Sequence, residues 1–157
     1  MRLARTALSA TLFLAATAAC GTAFAQSAER DYAAEEANRA LVVEFYEGVF
    51  QRHEVEKSAE VLAEDYIQHN PHVPDGKAPF VTYFTGLFAE NPDARSEIKR
   101  SAADGDLVWL HVHSTAGPED RGRAIVDIFR VEDGMIAEHW DVIQPVPESS
   151  ANDNTMF

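Results

Sequence analysis

The stretch RAIVDIFRVEDGMIAEHWDVI, residues 123–143, decides how this chain is read. Apolar and polar residues alternate on both sides of Glu132, Asp133 and Gly134, the pattern of two β-strands joined by a tight turn. Side chains along a strand alternate faces, so His139 and Asp141 share one face of the second strand. The first strand contributes Asp127. The residues Glu132, Asp133 and Gly134 suit a type I turn with glycine in the left-handed region, which predicts a three-residue bulged hairpin. In that register Val131 faces Met135 and Asp127 falls opposite His139. Asp127, His139 and Asp141 then project from one patch beside Ile125, Phe129 and Ala137. A two-residue turn at Asp133 and Gly134 would shift the pairing by one and set Asp127 against Trp140.

At the other end of the 157 residues, the first 25 have the pattern of a secretory signal peptide. Arg2 and Arg5 precede an apolar run at residues 7–19, and Ala23, Phe24 and Ala25 form a small-residue cleavage site before Gln26. The run is too short to span a membrane. The expected location is the periplasm or the medium, with lipidation at Cys20 as the alternative. Cleavage leaves 132 residues, enough for one domain with one core, and removes the single cysteine. A disulfide framework and a thiol nucleophile are thereby excluded. Without Arg2 and Arg5, 11 basic residues face 26 acidic ones, a net charge of −15. Such a field argues against nucleic acid or an anionic membrane surface as partner.

Between these ends the period changes once. Residues 26–33 read as a polar, frayed extension. Residues 34–51 are helical, with Leu41, Phe45 and Val49 at four-residue steps. A second helix is expected over 54–63, with Val55, Ala59 and Leu62 inward. Pro71 and Pro74 forbid a continuing helix, and Asp75 and Gly76 make a turn. A third helix over 77–89 lines one face with Phe80, Phe84 and Phe88. The period then becomes two, predicting strands at 96–102 and 107–114. The latter carries Trp109, His111 and His113 on one face and Val108, Leu110 and Val112 on the other. With the hairpin this gives an α+β fold, three helices on a curved, mostly antiparallel four-stranded sheet over residues 34–145. Residues 146–157 form a C-terminal tail or strap. A concave sheet closed by helices encloses a pocket for a small molecule.

Two helices, then Tyr66-x-x-His69-Asn70-Pro71, a third helix, the strands and a terminal Asp-Gly hairpin ending in Glu138, His139, Trp140 and Asp141 resemble the SnoaL-like polyketide cyclases. This group belongs to the nuclear transport factor 2-like superfamily, with the cone-shaped fold of ketosteroid isomerase and scytalone dehydratase. Residues 66–75 and 152–157 are similar to its aldol-condensation-catalysing branch. The resemblance implies that Asp141, on the last strand, is the general acid and base of an aldol ring closure. The family has a pocket histidine on the preceding strand; this chain has Asp127 there, and His139 supplies an imidazole from the neighbouring strand. The resemblance also implies that Tyr66, His69 and Asn70 sit at the pocket entrance, where they would orient a carbonyl or stabilise an enolate. Relatives with this fold often pair through the outer sheet face, so a homodimer through Trp140 and Val142 is expected.

A carboxylate among apolar side chains resists ionisation and can take and return a proton, and two neighbouring carboxylates resist joint ionisation. Asp141, His139 and Asp127 are therefore the candidate catalytic residues. Tyr66, His69, Asn70, His113, Phe84 and Phe129 are the candidate substrate contacts. The competing reading of the acidic and histidine residues is an inward hydrogen-bonded pair that only satisfies polar groups. His69, His72, His111, His113 and His139 raise a metal reading, but His-x-His on a strand is common by chance, and no metal or cofactor is expected. The expected activity is cofactor-independent aldol-type cyclisation, isomerisation or lyase chemistry on a small carbonyl compound. The alternative is a non-catalytic binding module with the same pocket.

Overall fold

The computed structural model describes residues 30–157, so the expected signal peptide and Cys20 lie outside the described residues. Helix α1 spans Tyr32–Phe50. Its start is two residues earlier than the periodicity suggests because Asp31 caps it, accepting from the N–H groups of Ala33 at 3.1 Å and Ala34 at 3.0 Å. Arg30 pairs with Glu35 at 2.6 Å, so the end of the polar extension is tied down. The inward face of α1 carries Val42, Phe45, Tyr46 and Val49, all buried.

The expected second helix is one α-turn, α2 at Val55–Ser58, and a 3-10 turn at Ala59–Val61. Val55, Ala59 and Leu62 are nevertheless buried as predicted. The chain then extends as strand β1, Leu62–Gln68, which the sequence reading missed. Leu62 and Tyr66 are its buried positions, four apart, so the spacing imitates a helix. A break in register between Leu62 and Ile67 removes the two-residue alternation that would have shown the strand. After a loop opening at Asn70, helix α3 spans Lys77–Glu90, with Phe80 packed on Phe45 at 5.8 Å between ring centres and on Phe84 at 4.6 Å.

The remaining strands are β2 at Arg95–Asp104, β3 at Leu107–Thr115, β4 at Arg123–Glu132 and β5 at Met135–Pro145. The sheet has five strands, not four, in the order β1-β5-β4-β3-β2. Only β1 runs parallel to its neighbour. Val108, Leu110 and Val112 face the helices and are buried, as the alternation on β3 requires.

The β4–β5 hairpin departs from the predicted register in two steps. Asp133 and Gly134 both have positive φ, 51° and 76°, and Glu132 pairs with Met135. This is the two-residue turn, whose twist matches that of the flanking strands. One residue is then inserted on β5: Val131 pairs with Ile136, but Arg130 pairs with Glu138. Ala137 is the extra residue of a β-bulge. The turn and the bulge each shift the pairing by one. Asp127 therefore lies opposite Asp141, and Phe129 opposite His139. The expected face is kept, while the expected Asp127–His139 pairing is replaced.

Beyond β5 the chain folds back over the outer sheet face. The Phe157 ring stacks on His113 at 4.2 Å and lies 5.7 Å from His111.

Candidate functional site

A cavity of about 280 Å³ opens between the helices and the inner face of the sheet. Its walls are aromatic, with Phe45 and Phe50 from α1, Phe80, Phe84 and Phe88 from α3, and Phe129 from β4. Against them β4 presents Asp127, β5 presents His139 and Asp141, and β1 with the following loop presents Gln68 and Asn70. Asp127 and His139 are 5% and 7% exposed. Such convergence of a few polar groups in an apolar cavity is the usual form of a small-molecule site.

Two side-chain amides orient this cluster, and backbone N–H groups orient the amides. The Asn70 N–H donates to Gln68 Oε1 at 3.0 Å, and the same oxygen lies 2.7 Å from His139 Nδ1. A carbonyl oxygen only accepts, so His139 Nδ1 carries hydrogen. His139 Nε2 lies 3.0 Å from Asp127 Oδ1. One proton must sit between those two atoms, because an unprotonated nitrogen and an ionised oxygen would repel at that distance. The pair is either imidazolium with carboxylate or imidazole with carboxylic acid, and both hold one transferable proton.

Asn70 is fixed the same way. Its Oδ1 accepts from the His72 N–H at 2.9 Å, which turns Nδ2 toward Asp141 Oδ2 at 2.6 Å. Asp141 thus receives a donor. Asp127 Oδ2, in contrast, is buried and without a hydrogen-bond partner. Leaving such an acceptor unpaired costs about 1–3 kcal/mol. Burial, and then the negative charge of Asp127, push the Tyr46 hydroxyl well above the ordinary tyrosine range. Burial and then the charges of Asp127 and Asp141 do the same to Tyr66. Both phenols remain neutral donors.

Of the predicted substrate contacts, Tyr66, Asn70, Phe84 and Phe129 line the cavity. His69 and His113 do not. His69 turns to the outer face, stacking on Trp140 at 4.6 Å and contacting Glu138 Oε1 at 2.7 Å. Strand alternation explains this, since Gln68 pairs with His139 and its successor must point the other way. His113 lies with His111 and Trp109 on the outer face of β3, its Nε2 within 2.9 Å of the Arg121 carbonyl. Gln68, Tyr46, Ser96 and His72 also line the cavity and were not predicted. Reading residues 62–68 as a strand would have placed Gln68 beside Tyr66.

Asp127, His139 and Asp141 offer ligand atoms within 4.8 Å of one another, a set able to hold a divalent ion. An ion would have to displace the proton at His139 Nε2, since Nδ1 is committed to Gln68.

The SnoaL-like domain family matches residues 42–139, and the chain belongs to that family. Solved structures with the same architecture agree. A Kribbella flavida protein presumed to be a ketosteroid isomerase is 24% identical, with a TM-score of 0.61, over 75% of this chain and 85% of that one. A presumed polyketide cyclase from Bacillus cereus is 20% identical, with a TM-score of 0.57, over 68% and 74%. A SnoaL-like protein of unknown function from Burkholderia thailandensis is 16% identical, with a TM-score of 0.60, over 70% and 96%. At these identities the likeness is one of fold. Comparison with curated protein sequences gives no match.

Gln68→Leu tests the orienting chain. In the wild type, imidazole ¹⁵N shifts near neutral pH should show His139 protonated at Nδ1. The variant should lose that preference and about 1–3 kcal/mol of stability, because it strands two donors. A wild-type ring with hydrogen on Nε2 alone would refute the arrangement.

Proposed function

We propose that this protein is an exported SnoaL-like enzyme that enolises a small carbonyl compound by cofactor-independent acid–base catalysis. The observation that carries this reading is the division of labour within one cluster: a proton held between Asp127 and His139, and an amide-bound Asp141 beside it. Asp141 would remove the proton from carbon next to the carbonyl. The proton of the Asp127–His139 pair would pass to the carbonyl oxygen as charge develops there. Asn70 holds Asp141 in place, and Gln68 holds His139. The unpartnered Asp127 Oδ2 favours a ligand that brings a donor, such as a hydroxyl or an enol.

Enolisation is the shared first step of aldol ring closure, double-bond isomerisation and elimination. Closure follows when the enolate carbon attacks a second carbonyl, isomerisation when the proton returns to a different carbon, and elimination when a β-substituent leaves. The aromatic walls suit a flat, largely apolar molecule.

The reading includes export, with cleavage before Gln26, and pairing of two copies through the outer face of the sheet. That face exposes Trp109 and Val126 at about two-fifths and Val142 at 68%, with Ile128 and Trp140 between them. Among the described residues no helix is long and apolar enough to cross a membrane.

Asp141→Asn should slow deuterium exchange at the α-carbon of a bound ketone by about 10²–10⁴-fold while leaving affinity within a few-fold. Unchanged exchange in the variant would remove Asp141 from the base role. Retention of a ligand by wild-type protein with no exchange at all would favour the binding module.

Sedimentation should give twice the monomer mass for the wild type and the monomer mass for Val142→Glu. A monomeric wild type would eliminate the dimer. For export, the mass of protein recovered from the expressing cell should match a chain starting at Gln26. An intact Met1 terminus in all of it would rule out cleavage.

A further inference from the structure

We propose that the mouth of the cavity is an anion subsite centred on Arg123, and that the ligand is a flat carbonyl compound with a carboxylate at its far end. The assignment of the carbonyl to the Asp127 end rests on the acid–base reading above. The subsite itself rests on the distribution of charge along the cavity.

That distribution is one-sided. The acidic residues lining the cavity are Asp127 and Asp141, and the basic side chains other than histidine are Arg95 and Arg123. Arg95 is tethered through Nη1, which donates to the Pro92 carbonyl at 2.7 Å and the Ala94 carbonyl at 2.6 Å and lies 2.9 Å from His53 Nε2. Arg123 is exposed and forms no ion pair or side-chain hydrogen bond among the described residues. The acid in the adjoining loop, Asp120, accepts from the N–H groups of Ala116 at 2.8 Å and Gly122 at 3.0 Å and meets Arg123 only as a nearby charge, without a hydrogen bond. A guanidinium with its N–H groups unused therefore stands at the rim of an aromatic cavity.

The strand sets its distance from the chemistry. Arg123, Ile125 and Asp127 alternate onto the same face of β4, and Arg123 pairs across the sheet with Ser114, which also lines the cavity. Four residues of strand separate Arg123 from Asp127 by roughly 13 Å. Ile125 and its cross-strand partner Ile143 lie between them as apolar floor. A ligand whose carbonyl reaches the polar end would thus place a substituent two aromatic rings away beside Arg123. A planar guanidinium matches the two oxygens of a carboxylate. One guanidinium and one hydroxyl suit that single charge better than a phosphate, which calls for more cations. In a chain of net charge −13, this mouth is where an anion gains rather than loses on approach.

A matched pair of probes tests this: 4′-acetylbiphenyl-4-carboxylate and its carboxamide, measured by calorimetry on the mature protein. The acid should bind at least tenfold more tightly than the amide. Arg123→Gln should bring the ratio close to one without weakening the amide, and added salt should narrow it in the wild type. Asp141→Asn should keep the ratio. Equal affinities in the wild type, a ratio that survives Arg123→Gln, or no binding of either probe would each overturn the proposal. Deuterium exchange into the acetyl methyl group, followed in the same samples, reports separately on the acid–base reading. A normal acid-to-amide ratio without exchange sinks that reading and leaves the subsite standing.

Discussion

The site depends on the parity of one hairpin. A strand exposes every second side chain to each face, so a one-residue slip between β4 and β5 would move His139 and Asp141 out of the cavity. The tight turn at Asp133 and Gly134 alone gives that slip. The bulge at Ala137 reverses it, so Asp127, His139 and Asp141 converge on the inner face. The bulge has a second effect. It sets Asp127 directly against Asp141 rather than against His139. Two carboxylates therefore face each other across a strand pair in an apolar cavity. The imidazole of His139 reaches diagonally to Asp127, with Nε2 3.0 Å from Oδ1.

The fifth strand gives that arrangement its direction. Without β1 the cluster would be three titratable groups free to choose among several protonation patterns. With it, Gln68 accepts from His139 Nδ1 and Asn70 donates to Asp141, and both amides are oriented by main-chain N–H groups that can only donate. His139 and Asp141 are thus oriented through backbone geometry, each by a different amide. Because the orienting atoms belong to the main chain, substitutions of neighbouring side chains leave them in place.

Much of the fold was legible because most elements carry a clean period. The Phe80, Phe84 and Phe88 stripe and the alternation through Val108, Leu110 and Val112 mark a helix and a strand without help from the rest of the chain. What was hidden shares one cause, local irregularity. β1 is an edge strand with a register break and two adjacent acids, so its two buried residues carry the spacing of a helix. The Ala137 bulge has no sequence mark, since alanine neither demands nor forbids it. The inner face of the hairpin was read correctly by an incorrect path, because a three-residue turn has the same parity as a two-residue turn plus one bulge. His69 was expected in the cavity from the family resemblance, and His113 was a candidate contact alongside it. Their neighbours Gln68 and Val112 already face inward, and strand alternation then requires both histidines to face out.

The departure at residue 127 follows from the same geometry. The family resemblance places a histidine on the strand before the last and an aspartate on the last. Here the preceding strand carries Asp127, and the last strand carries both His139 and Asp141. With the imidazole on the neighbouring strand, Asp127, His139 and Asp141 still converge, with side-chain atoms within 4.8 Å of one another. The departure adds a carboxylate that a simple acid–base pair does not need, with one oxygen committed to His139 and the other buried and unpaired. The Tyr46 hydroxyl packs near that carboxylate but does not close a hydrogen bond to the second oxygen. Its cost is tolerable where a ligand brings the missing donor, and Asp127 lines an aromatic cavity able to admit one. The additional carboxylate therefore bears on which molecule is accepted as much as on how a proton is moved.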